Sequence, residues 1–541
     1  GLSFTNAHAS STVCNPSRTA VWSGVRPSTS GCYDNQDHPW TSYIRSGMGI
    51  NAHFKRHGYH VAGAGKTYHE SSDGFDKPER IYVEDWDEYP AERHGYDKQP
   101  DKREGFNRPC KNTDKLRDED DQDWHTVSYC IDRMLNGTEY RGGDSDSSAG
   151  STTKPLFLAC GIKKPHLPWS VPAKYYPSGT AILPPYPSTN DVKDWEASVW
   201  EDLADISEFG IKKFSDPGGD HLELVKKDRW ADSLQSYRAA ISYMDMNVGR
   251  LVDALEEFEE RDNTIVVLWS DHGYHHGEKA HHKKSTLWRE SSDVPFIWIV
   301  PGVTTPNTIC DRSVDLQSLY PTLCDLAGLP IPFHVDGDNI RSLLQDPEAE
   351  WEGIAKITMK YQNHAIVDQR YRYIRYLDGS EELYDHDVDP HEFINLASDS
   401  QYNDIKTKLS EWLPQVNMER WHDDKDENVE ISCNHKAKIV KKCRDGKSFV
   451  ARDPNNMCKF VACPNATSTE SAPPLIRPSP DYSQLNREDA TEEPTTMPTI
   501  PSTSIGKDNP TSAASLFYPG YDFIASVFLA VATIFFGEFI S

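Results

Sequence analysis

Four short apolar runs limit what this chain can fold into. They read YHVAGAGK, PLFLACG, NTIVVLW and VPFIWIVPG, all before Glu350, with helical patterns between them. Continuous apolar runs are typical of strands buried on both faces. Strands alternating with helices predict a mainly parallel sheet flanked by helices. One helix is explicit: Tyr237, Ile241, Met244, Val248, Leu251 and Leu255 keep helical spacing just ahead of NTIVVLW. The expected class is α/β.

After residue 350 the pattern changes. Aromatics and arginines alternate around LDGSEELY, which predicts antiparallel strands turning at Asp378-Gly379 and a helix over 407–413. A chain of 541 residues exceeds one compact core, and its expected divisions are five. They are a main domain at 1–350, a smaller α+β subdomain at 351–425, a cysteine-rich segment at 426–465, a Pro/Thr/Ser-rich linker at 466–515 and a hydrophobic tail at 516–541. The spacing of Cys433, Cys443, Cys458 and Cys463 matches no zinc template, so two disulfides are expected there. With the sequons at Asn136 and Asn465, they point to the secretory pathway. The tail is expected to hold the protein at the cell surface, as a lipid-anchor signal or a single membrane span. The sequence opens on Gly1 without a visible signal peptide, which predicts that a true N-terminus precedes it.

The chain carries 57 Lys and Arg against 84 Asp and Glu, a net charge of −27. That excludes nucleic acid as a partner and means an anionic substrate needs a local basic pocket. Three strand ends supply candidates, and open sheets bind ligands beyond the carboxyl ends of their strands. Lys66 and His69 follow YHVAGAG; Lys163, Lys164 and His166 follow PLFLACG; Asp271, His272, His281 and Lys284 follow NTIVVLW. Asp271 and His272 suit a divalent metal, and the lysines and histidines suit an anion with several oxygens. Each group alone reads more readily as a surface loop than as a site; their joint placement makes the case. Cys14, in CNPSR, sits where a helix opens if Pro16 occupies the first turn. Helix N-termini favour negative charge. Cys14 reads as a buried structural thiol, a thiolate nucleophile or a site of modification, and no base lies near it in sequence.

CNPSR followed by SGVRP resembles the type I sulfatase signature, in which the cysteine is oxidised to formylglycine during secretion. GLSFTNAHA, GKTYH, KKPHLPW, SDHGYHHGEKAHHKKSTLWRESSDVPFIWIVPG and DGSEELYDHDVDPHEFINLA resemble further family motifs in the same order, closest to the iduronate-2-sulfatase branch. The resemblance covers roughly residues 1–400 and implies an alkaline-phosphatase-like fold. It implies a formylglycine hydrate at Cys14 that attacks sulfur and touches a calcium ion, with a formylglycine-generating enzyme as maturation partner. It also implies that Arg18 stabilises the hydrate and that Lys66, His166, His281 and Lys284 bind sulfate. His69 would help position the hydrate or assist proton transfer, and Asp271 and His272 would hold the metal. The implied substrate is a sulfated carbohydrate or another sulfate ester. Departures are Trp22, Ser23 and Val25 in the signature tail, and His276, His282 and Arg289, which the resemblance puts at the pocket rim. The family's paired metal-binding aspartates fall before Gly1, so these 541 residues alone are expected to bind metal weakly and to be poorly stable. Two rivals follow. One is a non-catalytic glycan-binding protein that kept the pocket; the other is a phosphatase or phosphodiesterase, against which Cys14 speaks because those enzymes use Thr or Ser.

Overall fold

The computed structural model describes residues 1–37, 47–69, 85–90, 102–137, 154–179, 181, 183–184, 201–215 and 219–419, and the backbone of 440–442, 449–451 and 525–530. The elements that position the site are strand β1 (Leu2–Phe4), helix α1 (Cys14–Ser23), β2 (His60–Gly65), α2 (Gln122–Asn136), β3 (Leu156–Gly161), α3 (Trp230–Glu257), β4 (Val266–Gly273), β5 (Phe296–Ile299) and β6 (Thr308–Cys310). A second group comprises β7 (Ala355–Thr358), β8 (His364–Val367), β9 (Tyr371–Arg375), β10 (Glu381–Asp385) and α4 (Asn403–Ser410), and β11 is Ala525–Ala530.

The larger sheet has the order β11-β4-β5-β1-β6, and β2 and β3 form a separate parallel pair. All four apolar runs are strands. Alternate residues of β4 enter opposite cores. Val267 and Trp269 pack with Val21, Trp22, Phe157 and Trp298, while Val266 and Leu268 pack with Val127, Met244 and Leu251 of the helices. A strand buried on both faces has no polar side, which is why its sequence shows no alternation. Each large apolar side chain removed from water there contributes roughly 1.5–3 kcal/mol.

Pairing is parallel at β2–β3 and β1–β6. It is antiparallel at β4–β5, where Trp269 faces Phe296, and at β5–β1, where Phe296 faces Phe4. The chain between β4 and β5 stays at the carboxyl end of β4, in a loop with two short paired strands and two single turns of helix, Glu278–Ala280 and Arg289–Ser292. The next strand therefore starts where the last one ended and must run back.

The expected helix near NTIVVLW is longer than its spacing indicated, running from Trp230 to Glu257. Strands β7 to β10 form an antiparallel meander in which Tyr371 pairs with Asp385 and Arg375 with Glu381. Gly379, at φ 88°, makes the turn between β9 and β10 in a conformation other residues avoid. The closing helix α4 begins four residues before 407 and ends three before 413. One face of the meander packs Ile366, Tyr373 and Leu383 against Leu409 of that helix. The other packs Ile357, Val367, Ile374 and Tyr384 against Leu287 and Trp288, in the segment after β4.

The chain divides into two compact units, residues 1–437 with 512–541 and residues 438–511. In the latter, Val440–Lys442 pairs antiparallel with Phe449–Ala451. The four late cysteines, Asn465 and nearly all of the linker and tail lie outside the described residues. Within the tail, β11 pairs antiparallel with β4. Among the described residues, no helix is long and apolar enough to cross a membrane.

A buried ionic junction ties the meander to the main sheet. Arg372 on β9 pairs with Glu392 at 2.6 Å and Asp293 at 3.5 Å, and donates to the Leu287 carbonyl at 3.0 Å. Asp293 also pairs with Arg289 and His8, and Glu392 with His386. Removing one member of such a set strands the others. Arg372→Met is expected to cost about 3–5 kcal/mol, read as a lowered Tm. Burial opposes ionisation of Glu392, but Arg372 and His386 outweigh it and hold the carboxyl below its ordinary 4.5. Its stabilisation is therefore complete above that value and is lost as pH falls below it. Glu392→Gln should flatten the acid side of the stability profile measured by Tm.

Candidate active site

Helix α1 starts at Cys14 with no side-chain cap from Val13, and ends at Gly24, which takes the left-handed conformation at φ 71°. All ten of its residues are buried. Its N-terminus therefore gives a positive end within the protein, where the Asn15 N–H donates to Asn35 Oδ1 at 3.0 Å. Facing it is the carboxyl end of β4, where Asp271 and His272 are fully buried. Ser17 Oγ donates to the Asp271 carbonyl at 2.5 Å and locks helix to strand.

Cys14 Sγ lies 3.3 Å from His272 Nε2 and accepts from Lys284 Nζ at 2.8 Å. Lys284 Nζ is also 3.3 Å from His272 Nε2. Burial opposes ionisation of the thiol, but Lys284, Lys66 and His272 overcome it and hold Cys14 well below its ordinary 9.0. Lys66 is itself drawn down to about 8, chiefly by burial. The Lys66 N–H donates to the Gly161 carbonyl at 2.7 Å, and a side chain at 161 would meet the Lys66 backbone at 2.4 Å. Glycine is what permits that approach.

Arg18 is buried. Its Nε pairs with Asp271 Oδ2 at 3.0 Å, and its guanidinium donates to the carbonyls of Lys66 and Thr67. It thus orients the carboxylate and the β2 loop together. Cys14, Asp271 and His272 each offer a donor atom within 4.8 Å of the others. Asp271 Oδ1 is buried without a hydrogen-bond partner and lies 3.7 Å from His272 Nε2. A buried orphan oxygen is an unsatisfied acceptor that a cation would complete.

His166 Nδ1 bonds the Leu167 carbonyl at 2.8 Å. The charge of Lys66, then burial and Lys284, holds this imidazole well below its ordinary 6.5. His281 Nε2 bonds the Lys284 carbonyl at 2.8 Å and so supports the lysine's backbone. His69 follows Lys66 on the same loop and is half-buried.

Some expectations change. Lys164 is spent internally, pairing with Asp121 at 3.2 Å and donating to the Pro168 carbonyl at 2.7 Å, because its side chain turns into the core. His276 and His282 are not at a rim. They are buried among Tyr237, Tyr274, Trp169 and Phe106, with His282 against His221 at 3.1 Å. Arg289 is bound to Asp293 at 2.7 Å.

Sequence reasoning missed several supports. Asp123 accepts the backbone N–H groups of Lys163 and Lys164, each at 2.8 Å, and so sets the loop carrying His166. Thr12 Oγ1 donates to the Thr286 carbonyl at 2.7 Å, joining the strand-end loop to the start of α1. Ser17 was in view within CNPSR, one residue from Arg18; Asp123 and Thr12 gave no signal, since their partners are remote in sequence.

The sulfatase family model matches residues 1–329, and a model described as N-sulphoglucosamine sulphohydrolase, C-terminal, matches residues 277–419. A sulfatase of Formosa agariphila is 32% identical over 435 residues, covering 77% of this chain and 80% of that protein. Iduronate 2-sulfatase of Homo sapiens is 29% identical over 401 residues, covering 64% and 69%. Among solved structures, a 2-O GAG sulfatase superposes with a TM-score of 0.55 at 21% identity, covering 76% of this chain and 83% of that one. A protein solved in complex with its substrate D-glucosamine-2-N,6-O-disulfate does so with a TM-score of 0.54 at 18% identity, covering 76% and 89%. These likenesses show the alkaline-phosphatase-like fold. By sequence and by fold, the chain belongs to the type I sulfatases, the hydrolases of sulfuric esters.

Proposed function

We propose that this sulfatase hydrolyses sulfate esters of a carbohydrate, with formylglycine made from Cys14 and a calcium ion held by Asp271 and His272. The observation that carries the reading is the position of Cys14, at the positive end of α1 and in contact with both Lys284 and His272. A carbohydrate substrate is supported by the likeness to iduronate 2-sulfatase. Exposure of Asn136 in its sequon supports a secretory location.

The residues present suit both groups. Asp271 Oδ1 is an orphan acceptor, and an oxygen in place of sulfur at position 14 makes the donors harder, as calcium prefers. When bound, the ion polarises sulfonyl oxygens. Formylglycine supplies a hydrated aldehyde oxygen as the nucleophile. The chain's own groups do the rest. Lys66 and Lys284 attract the sulfate and offset charge that grows on its oxygens in the transition state. Arg18 keeps Asp271 oriented, with one carboxylate oxygen left for the ion. The bond from His166 Nδ1 to the Leu167 carbonyl leaves Nε2 as an acceptor. An arriving sulfate offsets the charges of Lys66 and Lys284 and favours a proton there, which turns His166 into a third cation on the ester.

Mass spectrometry of the peptide ending at Arg18 is expected to show sulfur replaced by oxygen at position 14. A retained thiol, in protein made with the maturation machinery, would sink the formylglycine reading in favour of a binding protein. Lys284→Ala is expected to lower kcat/KM on a sulfate ester about 100- to 1,000-fold. Asp271→Asn should abolish the calcium dependence of activity, measured by readdition of calcium after chelation.

A further inference from the structure

Left-handed backbone gathers in the segment that carries Lys284. Lys279 (φ 53°), Ala280 (φ 52°), Lys283 (φ 77°) and Ser285 (φ 80°) all adopt it, and none is glycine. Such conformations persist where surrounding contacts impose them. At the far end the contacts are to the start of α1: the Ser285 N–H donates to the Thr12 carbonyl at 3.1 Å, and Thr12 Oγ1 donates to the Thr286 carbonyl. At the near end the anchor is a buried charge. Lys279 is 2% exposed, its ammonium pairs with Asp202 at 2.5 Å, and it donates to the Glu392 carbonyl. The Lys279 carbonyl accepts from Ser215 Oγ at 2.8 Å. Asp202 is as deeply buried as Lys279. Glu392 also sits in left-handed backbone, at φ 59°, and its carboxylate belongs to the Arg372 junction.

We propose that Lys279 is a positioning residue for sulfate ester hydrolysis. It ties the strained segment to Asp202 and to the Glu392 turn of the smaller subdomain, and so holds Lys284 against position 14. The inference rests on reading Lys284 as a cation that binds the sulfate. An ammonium serves this purpose because its compact charge takes several acceptors at once. Asp202 answers that charge, and the Glu392 carbonyl supplies direction. Four residues separate Lys279 from Lys284, few enough that release at one end loosens the other.

The test uses the full chain with a small aryl sulfate as probe, and hydrogen exchange as a readout independent of turnover. In Lys279→Met, kcat per formylglycine-bearing molecule should fall about tenfold or more while KM changes less than about threefold, the pattern of a lost transition-state contact. Amides of 280–286 should exchange about tenfold faster, with those of β9 unchanged. Should Lys279→Met fail to fold, Asp202→Asn, of nearly the same shape, is expected to show both effects. A folded variant of either kind whose kcat and loop exchange stay within about twofold of the parent overturns the proposal. Lys284→Ala separates the two readings. Full activity in that variant removes the sulfate-binding role of Lys284, whereas a crippled Lys284→Ala beside an unaffected Lys279→Met removes this inference alone.

Discussion

The contact between Cys14 and the carboxyl end of β4 is the constraint on which the rest of the site depends. Lys66, Lys284 and Arg18 all serve one small buried volume, and like charges brought out of water repel strongly. Cys14 and Asp271 balance them, and the interlocking is specific. Arg18 takes Asp271, Lys284 takes Cys14, and His272 touches both anionic groups. The excess of positive charge in that volume lies within a chain whose net charge is −27. On the function proposed above, a sulfate monoester is drawn to this volume by local charge, since the molecule's long-range field opposes it.

A second feature is the dependence of the site on a subdomain that contributes none of its reacting groups. The meander presents Arg372, Glu382 and the Glu392 turn to the segment after β4. Glu382, fully buried, accepts from Trp288 Nε1 at 2.8 Å, Tyr376 OH at 2.6 Å and Tyr384 OH at 2.7 Å. These bonds hold the return path of the chain from Lys284 to β5. Hydrogen-bonded buried charge gives orientation more than net stability, and orientation is what a site with three cations needs.

Much of this was legible in the sequence. The four apolar runs marked the strands, because burial on both faces leaves nothing polar to interrupt them. The polar residues immediately after three of them marked the end of the sheet where Lys66, His166, His272 and Lys284 gather around Cys14, because a buried strand can expose chemistry only where it stops. CNPSR marked the helix start, since Pro16 fits a first turn and little else in a helix. Other features were not legible. The antiparallel return of β5 depends on where the 274–295 loop lies. The burial of His276 and His282 depends on Trp169, Tyr237 and Phe106, which approach from other parts of the chain.

The sequence by itself thus determined the strand content, the nature of each reactive group and the end of the sheet where those groups would gather, since short-range burial and spacing settle such matters. Only the tertiary structure decided which lysine faces the thiol and which is consumed by the core. Lys284 reaches Cys14, while Lys164, equally placed after a strand, turns inward to Asp121. The physical reason is that an ammonium goes to the partner that compensates its lost water, and that partner is assembled from distant segments by the fold.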